Sequence, residues 1–233
     1  MDYSEMSRKL VNILKIDGKP VAVSLLTRKE DIPEGMGEID KPIRYCQMLQ
    51  NARFNDVITL ATEEKHSCKG GAAAIGLRDY PDNIKSGELY YSKLGKEISL
   101  GIAKRVVDNM PRPIPGSIVA TIVAPLDNTP TQPDVIVVFG NVLAARRIVH
   151  AVIYRHGGRV TSNFAGIQST CADATGSPYI TGEINVSIGC DGSAKNAGLK
   201  DDELVIGIPA ELIEDIVNIL DLKAQEWDEW MLK

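Results

Sequence analysis

The chain has 233 residues, of which 44% are hydrophobic and 24% charged, as in a globular protein with a substantial core. Its net charge is -5, its sequence pI is about 5.3, and its basic residues are scattered, which argues against nucleic acid as a partner. No signal peptide is visible, and the longest apolar runs, such as Val135 to Phe139, are too short to span a bilayer. We therefore expect a cytoplasmic protein with no membrane partner.

The first part of the chain is predicted to alternate helices and strands. Tyr3, Met6 and Leu10 recur at helical spacing and indicate an amphipathic helix over residues 3–14. The elements predicted next are a strand at 21–26, a long loop at 27–43, a helix from 45 to about 53, a strand near 57–61 and a helix over 94–110. The segment from Pro111 to Gly116 resembles a hinge.

The second part repeats this mixture. Asn141 is a good N-cap for a helix that ends at Gly157, and Pro209 is expected in the first turn of a C-terminal helix. Strands are predicted at 118–123, at 135–139, around 160 and at 184–188. Strands mixed with helices indicate an α/β fold, with α+β as the alternative and the strand order undetermined.

An internal repeat is the most informative feature of the sequence. CKGGAAAIGLRD, residues 68–79, aligns without a gap with CDGSAKNAGLKD, residues 190–201. The two segments share Cys, Gly, Ala, Gly-Leu and Asp at equal offsets, and Glu-Leu follows each, ahead of a predicted helix. Cys46 lies 22 positions before Cys68, and Cys171 lies 19 positions before Cys190. The pattern predicts a duplication.

A duplicated chain is expected to fold as two related halves, residues 1–113 and 114–233, packed about a pseudo-two-fold axis as one compact unit. Equivalent cysteine pairs then lie either near that axis, as one four-sulfur site, or far from it, as two separate pairs. The repeat by itself leaves both arrangements open.

The four cysteines are candidate metal ligands, because stable disulfides are uncommon in a reducing compartment. Zinc is disfavoured, since no two cysteines are separated by only two to four residues. An iron–sulfur cluster accepts ligands from distant loops, which makes it the leading cofactor. The predicted metal ligands are Cys46, Cys68, Cys171 and Cys190. Gly70, Gly71 and Gly192 are predicted to bind the cofactor through backbone N–H groups that approach sulfur.

Two other interpretations of the cysteines stay open. Cys68 or Cys190 could be a redox-active or nucleophilic thiol, with His66 or a carboxylate assisting, although a lone histidine in a loop is more often solvated. All four could instead be buried as small hydrophobic residues.

Short motifs spread along the chain resemble the domain-of-unknown-function family one-six-nine. They lie between about Pro20 and Leu220, and each alone would be weak. The motifs are Pro20-Val21-Ala22-Val23, Cys46-Gln47-Met48, Cys68 with its glycines, Pro133-Asp134-Val135-Ile136-Val137, Cys171-Ala172, Cys190 with Gly192, and Glu203-Leu204 through Pro209. The resemblance implies an origin in archaea or anaerobic bacteria and no established biochemical role. Relatives often carry an arginine shortly after the position of Cys190, where this chain has Ala194-Lys195, so no role of that guanidinium is carried over.

Three functional hypotheses follow from the sequence. The first is a cysteine-ligated metallocofactor protein for electron transfer, cluster handling or sensing. The second is a thiol-dependent enzyme acting on a small molecule, and the third is a non-catalytic binding module, so enzymatic activity is left open. The expected partners are a redox protein or a small molecule, and a homodimer is expected from base rates alone.

Overall fold

The computed structural model describes residues 2–231, which form one antiparallel sheet with helices packed on both faces. The strands are β1 (Val21–Leu26), β2 (Thr59–Thr62), β3 (Ala120–Pro125), β4 (Val135–Gly140), β5 (Asn185–Ser187) and β6 (Leu204–Pro209). The α-helices are α1 (Tyr3–Leu14), α2 (Tyr45–Asn55), α3 (Lys69–Ala74), α4 (Asp82–Lys85), α5 (Leu100–Asp108), α6 (Val142–Ile153), α7 (Ser177–Thr181), α8 (Asp191–Ala197) and α9 (Ile213–Met231). Two segments are π-helical, π1 (Leu89–Lys93) and π2 (Ser169–Gly176).

The sheet has the strand order β2-β3-β1-β4-β6-β5, and every neighbouring pair is antiparallel. At the centre, Val23 of β1 pairs with Val123 on one side and with Val135 on the other. We call β1 to β3 the first trio of strands and β4 to β6 the second. In both trios the first strand lies at the centre of the sheet, the third strand lies next to it, and the second strand lies at the edge. β3 follows the predicted hinge in the chain but lies between β1 and β2.

Both faces of the sheet are buried. Val21, Val23 and Leu25 point to the layer that contains α2, α3 and π2, whereas Ala22 points to the layer of α1, α6 and α9. Alternating side chains therefore serve two cores, so the central strands are apolar at nearly every position and lack a polar face. An antiparallel sheet with helices is the α/β or α+β class that the sequence predicts. No helix within residues 2–231 is long and apolar enough to cross a membrane.

Several predicted elements are confirmed and others are wrong. The bounds of α1 and β1 agree with the prediction, and the side chain of Asn141 caps α6 by accepting from Ala144 N–H. The helix predicted over 94–110 begins only at 100, because π1 and a turn at Gly95 precede it. Val160 lies outside the strands, and Glu203-Leu204 leads into β6 instead of a helix. Pro209 is the last residue of β6, and the C-terminal α-helix starts four residues later.

Candidate four-cysteine site

The cysteines lie on the four elements that cover one face of the sheet. Cys46 is the second residue of α2, and Cys171 is the third residue of π2. Cys68 and Cys190 are the N-cap residues of α3 and α8. These elements meet one another, with α2 contacting α8 and π2, and α3 contacting π2. The fold thus brings both sequence pairs to one layer.

The two downstream cysteines have the same local structure. Cys68 Sγ accepts a hydrogen bond from Gly71 N–H at 3.4 Å, and Cys190 Sγ accepts one from Ser193 N–H at 3.4 Å. The first N–H groups of a helix have no partner within the helix, so an N-cap side chain satisfies one of them. Here a sulfur takes the role usually filled by a serine or aspartate oxygen.

Gly71 is the point where the two cysteine pairs meet. A Cβ atom on Gly71 would lie 3.6 Å from Cys68 Sγ and 3.9 Å from Cys171 Sγ. One sulfur of the first pair and one of the second pair therefore face the same glycine, whose missing side chain leaves room between them.

Small residues let π2 approach both the sheet and α3. A Cβ atom on Gly207 of β6 would overlap the carbonyl oxygen of Ala174, and one on Gly176 would lie 2.6 Å from the carbonyl oxygen of Ala74. Every residue of π2 is buried. A π-helical turn is rare and frequently occurs at functional sites. Its position here carries Cys171 into the interior, next to α3.

The thiols influence one another electrostatically. Burial raises the pKa of Cys171 well above its usual value, and negative charge on Cys68, Cys190 and Cys46 raises it further. Burial and then the charges of Cys190 and Cys68 raise the pKa of Cys46 to about 11. Through-space effects of this kind need short separations in a poorly hydrated region.

Cys190 has the most hydrogen-bond donors of the four. Its sulfur lies 3.3 Å from Ser193 Oγ, which in turn lies 3.3 Å from Ser169 Oγ. Burial acts to raise the pKa of Cys190, but hydrogen bonds from Ser169 and Ser193 outweigh it and lower the pKa below the usual value. Gly71 holds the matching place beside Cys68 and offers no hydroxyl.

The predicted glycines and His66 are placed differently from one another. The N–H of Gly71 donates to sulfur as predicted. A Cβ atom on Gly70 would instead face Ile84 and Gln168, and one on Gly192 would lie 3.7 Å from Cys190 Sγ.

The sequence indicated a solvated His66, but the structure buries this side chain, which is 4% exposed. Its ring stacks on Tyr45, and its Nε2 lies 3.2 Å from Thr121 Oγ1. Burial lowers its pKa to about 4, so the ring is neutral near pH 7.

Sequence reasoning missed the polar residues around the sulfurs. Ser169 and Ser193 surround Cys190, and Tyr80, Gln168 and Tyr90 form a hydrogen-bonded chain beside π2. Serine next to cysteine carries no distinctive pattern. The tyrosines come from a region far from Gln168 in sequence, so only the tertiary structure reveals them.

The described donors of the site are not placed to hold a single metal ion. No three His, Cys, Asp or Glu side chains within residues 2–231 come close enough together to hold one metal ion. A single zinc ion, with Zn–S distances of about 2.3 Å, needs its sulfurs within roughly 4 Å of one another. An iron–sulfur cluster is also held by four thiolates, but its several iron atoms spread them over a wider space. Four thiols on contacting elements are the ligand type that such a cluster uses.

Comparison with known proteins places the chain among uncharacterised archaeal relatives. A family model, DUF169, described as uncharacterised ArCR, matches residues 9–218. An uncharacterised protein of Methanocaldococcus jannaschii, MJ0308, is 42% identical over 231 residues, covering 97% of this chain and 98% of the relative. No solved structure matches the chain significantly.

Proposed function

Because the chain belongs to the domain-of-unknown-function family one-six-nine, whose description names no activity, we propose a function from the site itself. The protein is a metallocofactor protein in which Cys46, Cys68, Cys171 and Cys190 hold one iron–sulfur cluster for electron transfer, cluster handling or sensing. The observation that carries the proposal is the approach of Cys68 and Cys171, from different sequence pairs, to the same glycine.

Topology supports one shared site formed by a duplicated unit. Each trio of strands has a cysteine-bearing helix between its first and second strands, α2 or π2, and a helix with a cysteine N-cap between its second and third, α3 or α8. This order would relate β1 to β4, β2 to β5 and β3 to β6, while α6 and α7 of the second trio, and α4, π1 and α5 of the first, have no counterpart. The equal N–H to sulfur bonds at Cys68 and Cys190 repeat this equivalence at atomic scale. A pseudo-two-fold axis between β1 and β4 would relate the trios and bring the cysteine pairs together. The duplicated unit then ends between β3 and β4, later than residue 113.

The chain supplies ligands, hydrogen bonds and protection from water. A bound cluster would accept and release single electrons, with a potential set by its hydrogen bonds and solvent exposure. Gly71 and Ser193 N–H groups lie beside ligand sulfurs, where they would stabilise negative charge. Cys171 is 7% exposed, whereas the other three cysteines are partly exposed, so electrons or cluster components would enter from their side.

The proposal is tested by iron and acid-labile sulfide analysis after purification and reconstitution without oxygen. Two double variants separate the arrangements: Cys46→Ser with Cys68→Ser, and Cys171→Ser with Cys190→Ser. For one shared site, each double variant loses all cluster iron and the broad visible absorbance while keeping the far-UV circular dichroism of the native chain. Retention of half the iron in each would mean two separate sites, and a native chain without iron would refute the cluster.

A thiol-dependent enzyme is the second candidate, because Cys190 alone has paired serine hydroxyls around its sulfur. Hydrogen bonds to a thiolate favour the form that attacks an electrophile. In that case the chain would be metal-free and colourless, Cys190 would be alkylated fastest, and Cys190→Ser alone would abolish turnover. The cluster proposal instead requires all four cysteines.

A further inference from the structure

The first trio of strands has a long connection where the second has a short one. Residues 75–119 join α3 to β3 and contain α4, π1 and α5, whereas residues 198–203 join α8 to β6. We call residues 75–119 the insert. The insert adds no strand to the sheet, so any role it has comes from its own surface and from the elements that it contacts.

The insert is buried on its inner side and exposes apolar side chains on its outer side. Ile84 and Tyr90 belong to a buried cluster with Ala73 of α3. Single exposed apolar side chains are ordinary, but a group of them marks an interaction surface. Between residues 91 and 102 the insert exposes a group that we call the insert patch, which consists of Tyr91, Leu94, Ile98, Leu100 and Ile102.

The insert patch is one surface of two contacting helices. Its side chains lie on π1, in the first turn of α5 and in the turn that joins these helices, which contact each other. The turn is held by the N–H of Lys96, which donates to the carbonyl of Tyr90 at 2.8 Å. Ile98, in the same turn, is 88% exposed, so the chain covers almost none of its side chain.

The patch lies next to the four-cysteine site. Lys96 forms an ion pair with Asp191, the residue that directly follows Cys190. Ile188, two positions before Cys190, is also exposed. Because Cys190 is itself partly exposed, a molecule bound to the patch would lie beside an accessible part of the site.

The insert patch has basic surroundings in a chain whose net charge is -5. Residues 91–105 contain one anion, Glu97, against four cations, which are Lys93, Lys96, Lys104 and Arg105. Lys96 and Lys104 are paired with Asp191 and Asp108. Lys93 and Arg105 are exposed and have no acidic partner among the residues that the structure describes. Two such cations beside apolar side chains complement an acidic protein surface with an apolar centre.

Two other occupants fit these charges less well. Lipid-binding surfaces commonly cluster about four to eight basic residues, whereas only Lys93 and Arg105 are unpaired here. The neighbouring Asp191 side chain is 81% exposed and would be repelled by an anionic membrane. In a two-fold dimer formed through the patch, Lys93 and Arg105 would approach the same cations of the second copy. An acidic partner protein avoids both conflicts.

We propose that the insert patch is the docking surface for a small acidic electron-carrier protein of the ferredoxin type. Leu94 and Ile98 supply the apolar contacts at its centre, and Lys93 and Arg105 supply the ion pairs at its rim. The electron-carrier role of the partner rests on the proposed function, because it needs a cluster that exchanges electrons. The surface and the acidic character of the partner rest only on the exposure and charge of the insert.

Binding is measured with the metal-free chain, so that the result does not depend on a cluster. The probe is an oxidised plant-type ferredoxin, chosen for its acidic surface and labelled with a fluorophore. Fluorescence anisotropy gives its Kd at low and at high salt. We expect binding that weakens as salt is added, because salt screens the ion pairs.

Two double variants test the two kinds of contact. Leu94→Ser with Ile98→Ser removes the apolar contacts, and Lys93→Glu with Arg105→Glu reverses the charge of the rim. Each should raise the Kd about tenfold, because the first removes buried contact area and the second places like charges opposite each other.

The matched controls change the same types of side chain on the opposite layer. Val142→Ser with Leu222→Ser alters two exposed apolar residues of α6 and α9, and Arg8→Glu with Arg146→Glu reverses two exposed cations of α1 and α6. Both controls should bind the ferredoxin as the native chain does. Far-UV circular dichroism verifies that all four variants fold.

Three results would overturn the docking surface. The first is a native chain that does not bind the ferredoxin, and the second is equal weakening in the patch variants and their controls. The third is binding of the native chain to phosphatidylglycerol vesicles, or self-association in sedimentation velocity, that both patch variants lose, since this would assign the patch to a membrane or to a second copy.

The electron-carrier role is tested separately with the iron-loaded chain. Stopped-flow absorbance follows the passage of one electron from reduced ferredoxin to the loaded chain, and both patch variants should slow it about tenfold at subsaturating ferredoxin while the controls leave it unchanged. A chain that binds no iron would refute the cluster and the carrier role together, and the anisotropy would still decide the docking surface. A loaded chain that binds the ferredoxin but accepts no electron would refute the carrier role alone.

Discussion

At the scale of single residues, a buried ion pair ties α2 to the turn before β6. The side chains of Arg53 and Glu203 are 1% and 8% exposed and are hydrogen-bonded to each other. Arg53 also donates to the carbonyl of Asp17 and lies over the ring of Phe139, and Glu203 accepts from Lys200 N–H. Both charges are thus compensated, as burial requires.

Glu203→Gln should lower the free energy of unfolding by about 3–5 kcal/mol, because it leaves the Arg53 guanidinium buried without its counter-ion. Urea unfolding at neutral pH measures the change. Asp108→Asn is the matched control, since its partner Lys104 is on an exposed helix face, and it should cost under about 0.5 kcal/mol. Equal effects for both variants would contradict the assignment.

The same variant should alter the acid limb of stability. Burial acts to raise the pKa of Glu203, but hydrogen bonds from Arg53 and Lys200 N–H lower it below the usual 4.5. The stabilisation is therefore complete above pH 4.5 and is lost as the pH falls through the lowered pKa of the folded state. Native stability should fall more steeply than that of Glu203→Gln in this range.

At the scale of elements, the close packing of π2 against the sheet depends on Gly207. This glycine is in the middle of β6, where a strand normally favours a larger side chain, and Ala174 and Pro178 of the opposing layer fill the space above it. Its absence of a side chain lets a fully buried turn lie directly on the strand and hold Cys171 at depth.

Gly207→Ala should therefore destabilise the chain by about 1–3 kcal/mol through overpacking, and should raise the alkylation rate of Cys171 by displacing π2. Urea unfolding and peptide mass spectrometry measure the two effects. Gly101→Ala is the control, because that glycine is exposed in α5 with open space around it and should gain about 1 kcal/mol of stability. A stabilising Gly207→Ala would show that π2 has room to move.

At the scale of the whole molecule, each of the two hydrophobic cores contains side chains from both trios of strands. The core on the cysteine side joins Val21 and Leu25 to Phe139 and Val205, and the opposite core joins Leu10 and Ala22 to Ile136 and Ile208. Neither trio of strands can bury its apolar face alone. We therefore expect the two trios to unfold together in a single cooperative transition.

A fragment of residues 1–113 should not fold, because it lacks β3, the strand between β1 and β2. Circular dichroism and amide chemical-shift dispersion test this, with the native chain as control. A fragment of residues 1–131 keeps β1 to β3 and should retain more ordered structure, though without the cover supplied by β4 and π2. Cooperative unfolding of the shorter fragment would contradict the shared-core description.

Local chemistry decided much of what the sequence could predict. Helical spacing predicts α1, a run of apolar residues predicts β1, and Asn141 predicts the start of α6, because each depends on neighbours in the chain. The repeat around Cys68 and Cys190 corresponds to equal N-caps in the structure, since an N-cap bond spans only three residues. The four cysteines were identifiable as a set for the same reason, although their purpose was not.

Only the tertiary structure decided which of these pieces meet. The position of β3 between β1 and β2, the depth of π2 over Gly207, and the burial of His66 depend on contacts between distant segments. The same is true of the approach of Cys171 to Gly71, residues 100 positions apart in the chain, and of Tyr90 to Gln168, residues 78 positions apart. Long-range contacts form where several layers fit together, and no local pattern in a single sequence records that fit.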